Sequence, residues 1–158
     1  MPEDANKRFL NTYPHIIDDL KAKAKSLGLW NLFLSSGHYK EGSELTNVEY
    51  GICAEIMATS LLASETMNCS APDTGNMEVL AKYGSDAQKK EWLVPLMNGD
   101  IRSAFIMTER TKASSDARNI DLEMVRDGDS YILNGTVFFS NFKIVPKMNA
   151  KIWVEMVE

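Results

Sequence analysis

Histidine and cysteine are scarce in this chain, with two of each in 158 residues. Cys53 and Cys69 are too few for a disulfide framework and lack the paired spacing of a metal site. His15 and His38 belong to no cluster, so no metal is expected. Cys53 falls in an apolar helical pattern and reads as a small buried hydrophobe. Long apolar runs are lacking too: none approaches the ~20 residues that cross a bilayer. The opening "MPEDANKRFL" carries acids and no apolar stretch, so no targeting segment is expected and the setting reads as intracellular and reducing. Positive charge has no surplus. Lys and Arg number 17 against 22 Asp and Glu, a net charge of -5, which excludes the basic footprint of a nucleic-acid binder.

What is present is the composition of an ordinary globular domain, 44% hydrophobic and 25% charged. The length suits one domain or a piece of a larger protein. The first part reads helical. In "PHIIDDLKAKAKSLG", Ile16, Leu20, Ala24 and Leu27 recur at helical spacing, and "GLWNLFL" reads as a buried connection. "SSGHYKEGSE" is turn-rich and reads as an exposed loop. Thr46 and Glu49 of "TNVE" form a capping box that opens a second helix, whose apolar stripe is Val48, Ile52, Ile56 and Met57, continued by Leu61 and Leu62. "NMEVLAKYG" gives a short helix. Ser85 and Gln88 repeat the capping box before "DAQKKEWLVPLMNG", in which Trp92, Leu93, Leu96 and Met97 face inward and Pro95 tightens or kinks the last turn. Near Asp100 the period changes from helical to two. "IRSAFIMT" reads as a strand, and "NIDLEMVR" as another with Ile120, Leu122 and Met124 on one face. "DGD" turns the chain, and "SYILNGTVFFS" holds two runs around Asn134-Gly135. The fold class is α+β, an all-helical domain over residues 1–100 followed by part of an antiparallel β domain over residues 101–158.

The stretch most open to chemistry is "MTERTKASSDARN", Met107 to Asn119. Small residues such as Ala113, Ser114 and Ser115 let backbone amides approach a ligand, and their hydroxyls are rotatable donors and acceptors. The same composition also suits a solvated loop whose Ser and Asp satisfy local backbone groups. On these residues alone both readings stand.

A longer pattern carries more. "NMEVLAKYGSDAQKKEWLVPLMNGDIRSAFIMTE", then "ASSDARNI", then "GDSYILNGTVFFSN" resembles the acyl-CoA dehydrogenase family over roughly residues 21 to 141. "APDTGNMEVL" and "ASSDA" are especially similar to the branch of family members 10 and 11. The resemblance implies a flavoenzyme that binds FAD and removes hydrogens alpha and beta to the carbonyl of an acyl-CoA thioester in fatty-acid oxidation. Its electrons would pass to an electron-transfer flavoprotein or to oxygen, in a mitochondrial or peroxisomal homo-oligomer. The implied fold has a helical N-terminal domain, a central β domain and a C-terminal four-helix bundle, of which this chain lacks the last. By the same resemblance Thr108 hydrogen-bonds the flavin edge, and Ser115 contacts FAD or the CoA moiety. Phe105, Ile106 and Met107 lie along the flavin ring. Phe139 stands where the family usually places a tryptophan, and Asn141 where it places a Thr or Ser contact. Thr74, Met77 and Val79 are implied for the acyl tunnel.

The resemblance places the catalytic glutamate in the C-terminal bundle, so no catalytic residue is expected here and Glu109 is not the base. The chain also departs from the family pattern. Arg110 stands in place of a Pro, Lys112 in place of an apolar residue, Phe138-Phe139 in place of a Trp-bearing pair, and Phe142 in place of a small residue. An isolated chain of this kind is expected to be inactive. The alternative is a non-catalytic interaction or dimerising module derived from the same family, since a partial β domain leaves unpaired strand edges.

Overall fold

The computed structural model describes residues 15–135 apart from 106, 110 and 129. These fall into two compact units, one running to Ser103 and one beginning at Ala104. The first unit is helical. Helix α1 (His15–Ser26) buries Ile17 and Ala24, whereas Ile16 and Leu27 are exposed. The inward stripe is therefore turned by about one position from the Ile16-to-Leu27 spacing. Lys21 on this helix reaches Glu65 with its ammonium at 2.9 Å.

Helix α2 (Asn47–Met57) starts at the capping box predicted for it. The Thr46 N–H donates to Glu49 Oε2 at 2.8 Å, and the Glu49 N–H donates to Thr46 Oγ1 at 3.3 Å. Its predicted stripe faces the other way: only Met57 is buried, while Val48, Ile52, Ile56 and Leu61 are exposed. The inward face is instead Tyr50, Ala54 and Met57, which pack on the core. Both faces of α2 are apolar, so periodicity had no polar side to set against an apolar one.

Helix α3 (Ala63–Thr66) leads to α4 (Asp73–Tyr83), which buries Asp73, Met77, Leu80 and Ala81. A second capping box, Ser85 with Gln88, opens α5 (Asp86–Gln88). A π-helical turn at Lys89–Leu93 follows, then α6 (Val94–Asn98). Pro95 is the physical reason for the wide turn: it has no N–H to give, and its ring would collide with the carbonyl four residues earlier in a regular α-helix. Leu93 and Leu96 are buried, and Trp92 and Met97 pack at the edge of the core. That core joins Phe33, Leu34, Met57, Cys69, Met77, Leu80, Ala81, Leu93 and Leu96. Each fully buried Leu or Met there contributes roughly 1.5–3 kcal/mol.

The end of α6 is held by side chains from far along the chain. Trp30 Nε1 and Asn31 Nδ2 both donate to the Met97 carbonyl, at 2.6 and 2.8 Å. Asn68 Nδ2 donates to the Leu96 carbonyl at 3.0 Å, and Lys25 Nζ to the Asn98 carbonyl at 2.6 Å. The last carbonyls of a helix have no partner within it, and here four side chains supply one. Gly99 ends the helix with φ +76. A Cβ on Gly99 would sit 2.8 Å from the Trp30 ring, so both backbone and space require glycine. The "GLWNLFL" stretch is thus the buried connection its composition suggests.

"SSGHYKEGSE" is packed more tightly than an exposed loop. Ser35 is buried, Ser35 and Ser43 form a bridge, and the Ser43 hydroxyl donates to the Leu32 carbonyl at 3.0 Å.

Residues 101–105 form no strand. Arg102 pairs with both Glu65 and Asp73, and the Ser103 N–H donates to the Asp73 carboxylate at 2.7 Å. Side chains of the helical unit take up the donor a sheet ladder would need. In the second unit the chain stays irregular up to a 3-10 turn at Ala117–Asn119, capped by the Asp116 side chain. Strands β1 (Glu123–Asp127) and β2 (Ser130–Asn134) then pair antiparallel, from Glu123↔Asn134 to Asp127↔Ser130. This register leaves a two-residue turn, where Gly128 has φ +60. Of the residues read onto one face, Ile120 and Leu122 are half-buried and Met124 is 39% exposed. The runs predicted after Gly135 lie outside the described residues. Among the described residues no helix is long and apolar enough to cross a membrane.

Candidate functional site

The stretch from Met107 to Leu122 is organised by Glu109. This residue is only 6% exposed, and its partners are backbone amides. The Asp121 N–H donates to both carboxylate oxygens, at 3.0 and 2.9 Å, and the Leu122 N–H to Oε1 at 2.8 Å. The Glu109 N–H in turn donates to Ser114 Oγ at 2.8 Å, and Ser114 is buried. One carboxylate and one hydroxyl thus close the loop on itself. Hydrogen bonds from neutral donors to an ionised acceptor are about twice as strong as neutral pairs, so a buried carboxylate can be held without a cation. At the rim, Lys112 Nζ lies 3.2 Å from Asp121 Oδ2. Both partners are exposed, so this bridge adds little, but it accounts for a lysine at that position.

The clasp divides the loop's polar groups. Glu109 and Ser114 are consumed inside it. Their immediate neighbours Thr108 and Ser115 are exposed. Because the Glu109 amide is bonded to the Ser114 hydroxyl, Thr108 and Ser115 flank the same short cross-link. Phe105 is 64% exposed and Met107 is half-buried. Ile106 and Arg110 lie outside the described residues, as do Phe138, Phe139, Asn141 and Phe142. Two hydroxyls and an aromatic face open to solvent on a tied loop are the groups a flat heteroaromatic ring with polar edges would meet. The residues present therefore fit a flavin.

In the helical unit, Thr74, Met77 and Val79 all lie on α4, in different surroundings. Met77 is fully enclosed by the core and forms no accessible wall. Thr74 is half-buried and lines an open groove with Phe33, Asn47, Tyr50, Gly75 and Glu78. Val79 is half-buried. Burial, followed by the neighbouring Cys69, Cys53 and Glu78, pushes the Tyr50 phenol up to about 12. Burial also pushes the Cys69 thiol up, and of the two free cysteines Cys69 is the buried one while Cys53 is half-buried. Among the described residues no group of His, Cys, Asp or Glu could hold a metal ion.

Two features escaped the sequence. One is the Glu109 clasp, whose acceptor and donors are separated by a dozen residues and leave no periodic trace. The other is the ion cluster beside α4. Asp73 is 2% exposed and bonds Arg102, the Ser103 N–H and the Ser103 hydroxyl. Glu65 accepts from Arg102 and Lys21. Burial works against the charge on Glu65, but hydrogen bonds and charges from Arg102 and Lys21 outweigh it and hold its carboxyl below the ordinary value.

With the helical unit, the clasped Thr-Glu loop and the hairpin described, comparison with known proteins gives the family. The family described as acyl-CoA dehydrogenase, N-terminal domain, matches residues 5–100. Acyl-CoA dehydrogenase family member 10 of Mus musculus is 51% identical over 135 residues, covering 84% of this chain and 13% of that protein. Family member 11 of Homo sapiens is 49% identical over 139 residues, covering 88% of this chain and 17% of that protein. A solved structure from Mycobacterium abscessus, assigned as an acyl-CoA dehydrogenase, superimposes with a TM-score of 0.73 at 48% identity, covering 84% of this chain and 32% of that one. The chain belongs to the acyl-CoA dehydrogenase family. It spans less than a fifth of these two curated relatives and about a third of the solved structure.

Proposed function

We propose that this chain is the FAD-binding and acyl-binding amino-terminal part of an acyl-CoA dehydrogenase that introduces an alpha,beta double bond into acyl-CoA thioesters. The observation that carries this is the clasped loop, which keeps Thr108 and Ser115 exposed while Glu109 and Ser114 are used up inside it. Thr108 supplies a hydroxyl to the flavin edge, and Ser115 contacts FAD or the CoA moiety. Phe105 and Met107 lie along the ring, and Phe139 and Asn141 complete the contact. Thr74 and Val79 line the acyl path, with Met77 packing behind them. FAD, when bound, accepts the hydride, and the protein's part is to orient it and tune it through hydrogen bonds. Holding flavin and thioester face to face can contribute roughly 7–11 kcal/mol.

The alpha proton must go to a positioned carboxylate. Glu109 cannot serve, because its oxygens are occupied by three backbone hydrogen bonds inside the loop. By the family resemblance the base is carried by the C-terminal bundle, and on that reading this chain alone does not turn over acyl-CoA. Electron-transfer flavoprotein or oxygen would serve as acceptor in the whole enzyme, as a homo-oligomer. The test is to titrate the purified chain with FAD and then add acyl-CoA without oxygen. A perturbed visible flavin band that does not bleach is expected. An unperturbed band would refute flavin binding, and bleaching would refute inactivity.

A second reading, a non-catalytic interaction module, draws on the exposed stripe of Val48, Ile52 and Ile56. Sedimentation separates the two: a chain that stays colourless with FAD and self-associates favours the module.

A further inference from the structure

We infer that Glu109 is a positioning residue for Thr108: its clasp, closed by the carboxylate, holds the backbone that carries the adjacent hydroxyl before any cofactor arrives. The role rests on the flavin reading above. The geometry distinguishes it from a surface acid. Glu109 is buried, carries no cationic partner among the described residues, and directs both oxygens at the Asp121 and Leu122 amides. Its own N–H is tied to Ser114. The residue is therefore bound through its backbone on one side of the loop and through its side chain on the other. The Thr108 carbonyl and the Glu109 N–H share one planar peptide unit, so tying down Glu109 restrains the backbone that carries the Thr108 side chain. Without the clasp the loop would have to be ordered by the ligand, and that ordering would weaken binding.

The acid at this position acts through geometry and does no proton chemistry. A glutamine has nearly the same shape but offers one acceptor oxygen and an NH2 group in place of the second. That NH2 would face backbone donors, leaving an amide unpaired in a buried place. The effect should appear first in the loop, with or without FAD.

Two measurements on the full chain test this. In the FAD-free chain, amide exchange at Asp121 and Leu122 should quicken roughly tenfold in Glu109→Gln. Exchange in α4 and the melting temperature of the helical unit should stay as in the parent. Ser114→Ala, which removes the acceptor of the Glu109 N–H, should quicken exchange at Glu109. The second measurement is a cycle of FAD affinities. Glu109→Gln should weaken FAD by up to about fivefold in the parent, the whole worth of the hydroxyl, yet change it by no more than about twofold in a Thr108→Val background, because its effect passes through that hydroxyl. Unchanged exchange at Asp121 and Leu122, or a Glu109→Gln loss that persists in full without the Thr108 hydroxyl, overturns the role. A parent chain that protects these amides but takes up no FAD sinks the flavin reading and leaves the preorganised clasp established by the exchange data.

Discussion

At the scale of single residues, two carboxylates are enclosed for different purposes. Asp73 and Glu65 meet Arg102 and Lys21, and the cluster anchors residues 102–103 to the start of α4. Asp73→Ala leaves Arg102 its pair with Glu65 but takes the acceptor from the Ser103 N–H and hydroxyl, so it should lower stability by about 1–3 kcal/mol in a denaturant melt. The same cluster sets an acid limit. Because Glu65 is held below its usual 4.5 in the folded chain, its contribution is present above that value and is lost as pH falls through the lower, folded one. Glu65→Gln should flatten the loss of melting temperature below about pH 4.5. Tyr50 gives the opposite sign. A phenol raised to about 12 favours the fold fully below pH 10, and that contribution disappears between 10 and 12. Tyr50→Phe should remove this alkaline loss. The partnerships of Asp73 and Glu65 are not visible in sequence, because they join residues 29 to 44 positions apart. Thr108 and Ser115 are singled out by the family pattern alone, and the small-residue composition of their loop left its purpose open.

At the scale of elements, local chemistry was read well and orientation less so. Both capping boxes form where Thr46-Glu49 and Ser85-Gln88 predict them, since a cap needs only residues three apart. The rotation of α2 was misread because its two faces are alike in polarity, and what decides between them is the packing of Tyr50, Ala54 and Met57 on the core. The strand predicted at Ile101 failed because Asp73, far upstream, takes the Ser103 N–H. Glycines test this level directly. Gly51 lies inside α2 with open space where a Cβ would go, so Gly51→Ala should stabilise the chain by about 0.5–1 kcal/mol. Gly99→Ala should destabilise it by more than that, because the residue has φ +76 and a Cβ there would meet Trp30. Thermal melts of the two variants should move in opposite directions.

At the scale of the whole molecule, the chain is a member of the acyl-CoA dehydrogenase family that matches its N-terminal domain over residues 5–100 and spans about a third of a solved relative. Much of its apolar surface is unsatisfied within the described residues: Val48, Ile52, Ile56 and Leu61 on and after α2 point outward. Exposed apolar residues in a row promote association. Changing Ile52 and Ile56 together to Ser should therefore reduce self-association in sedimentation while leaving the melting temperature nearly unchanged. The proposed catalytic role depends on a smaller feature, the hydroxyl of Thr108 meeting a flavin ring. The most direct measurement is the FAD affinity of the parent chain and of Thr108→Val, followed through the visible flavin band. The prediction is saturable binding that weakens by about 1 kcal/mol, roughly fivefold, when the hydroxyl is lost. Equal affinity in the two proteins would contradict it.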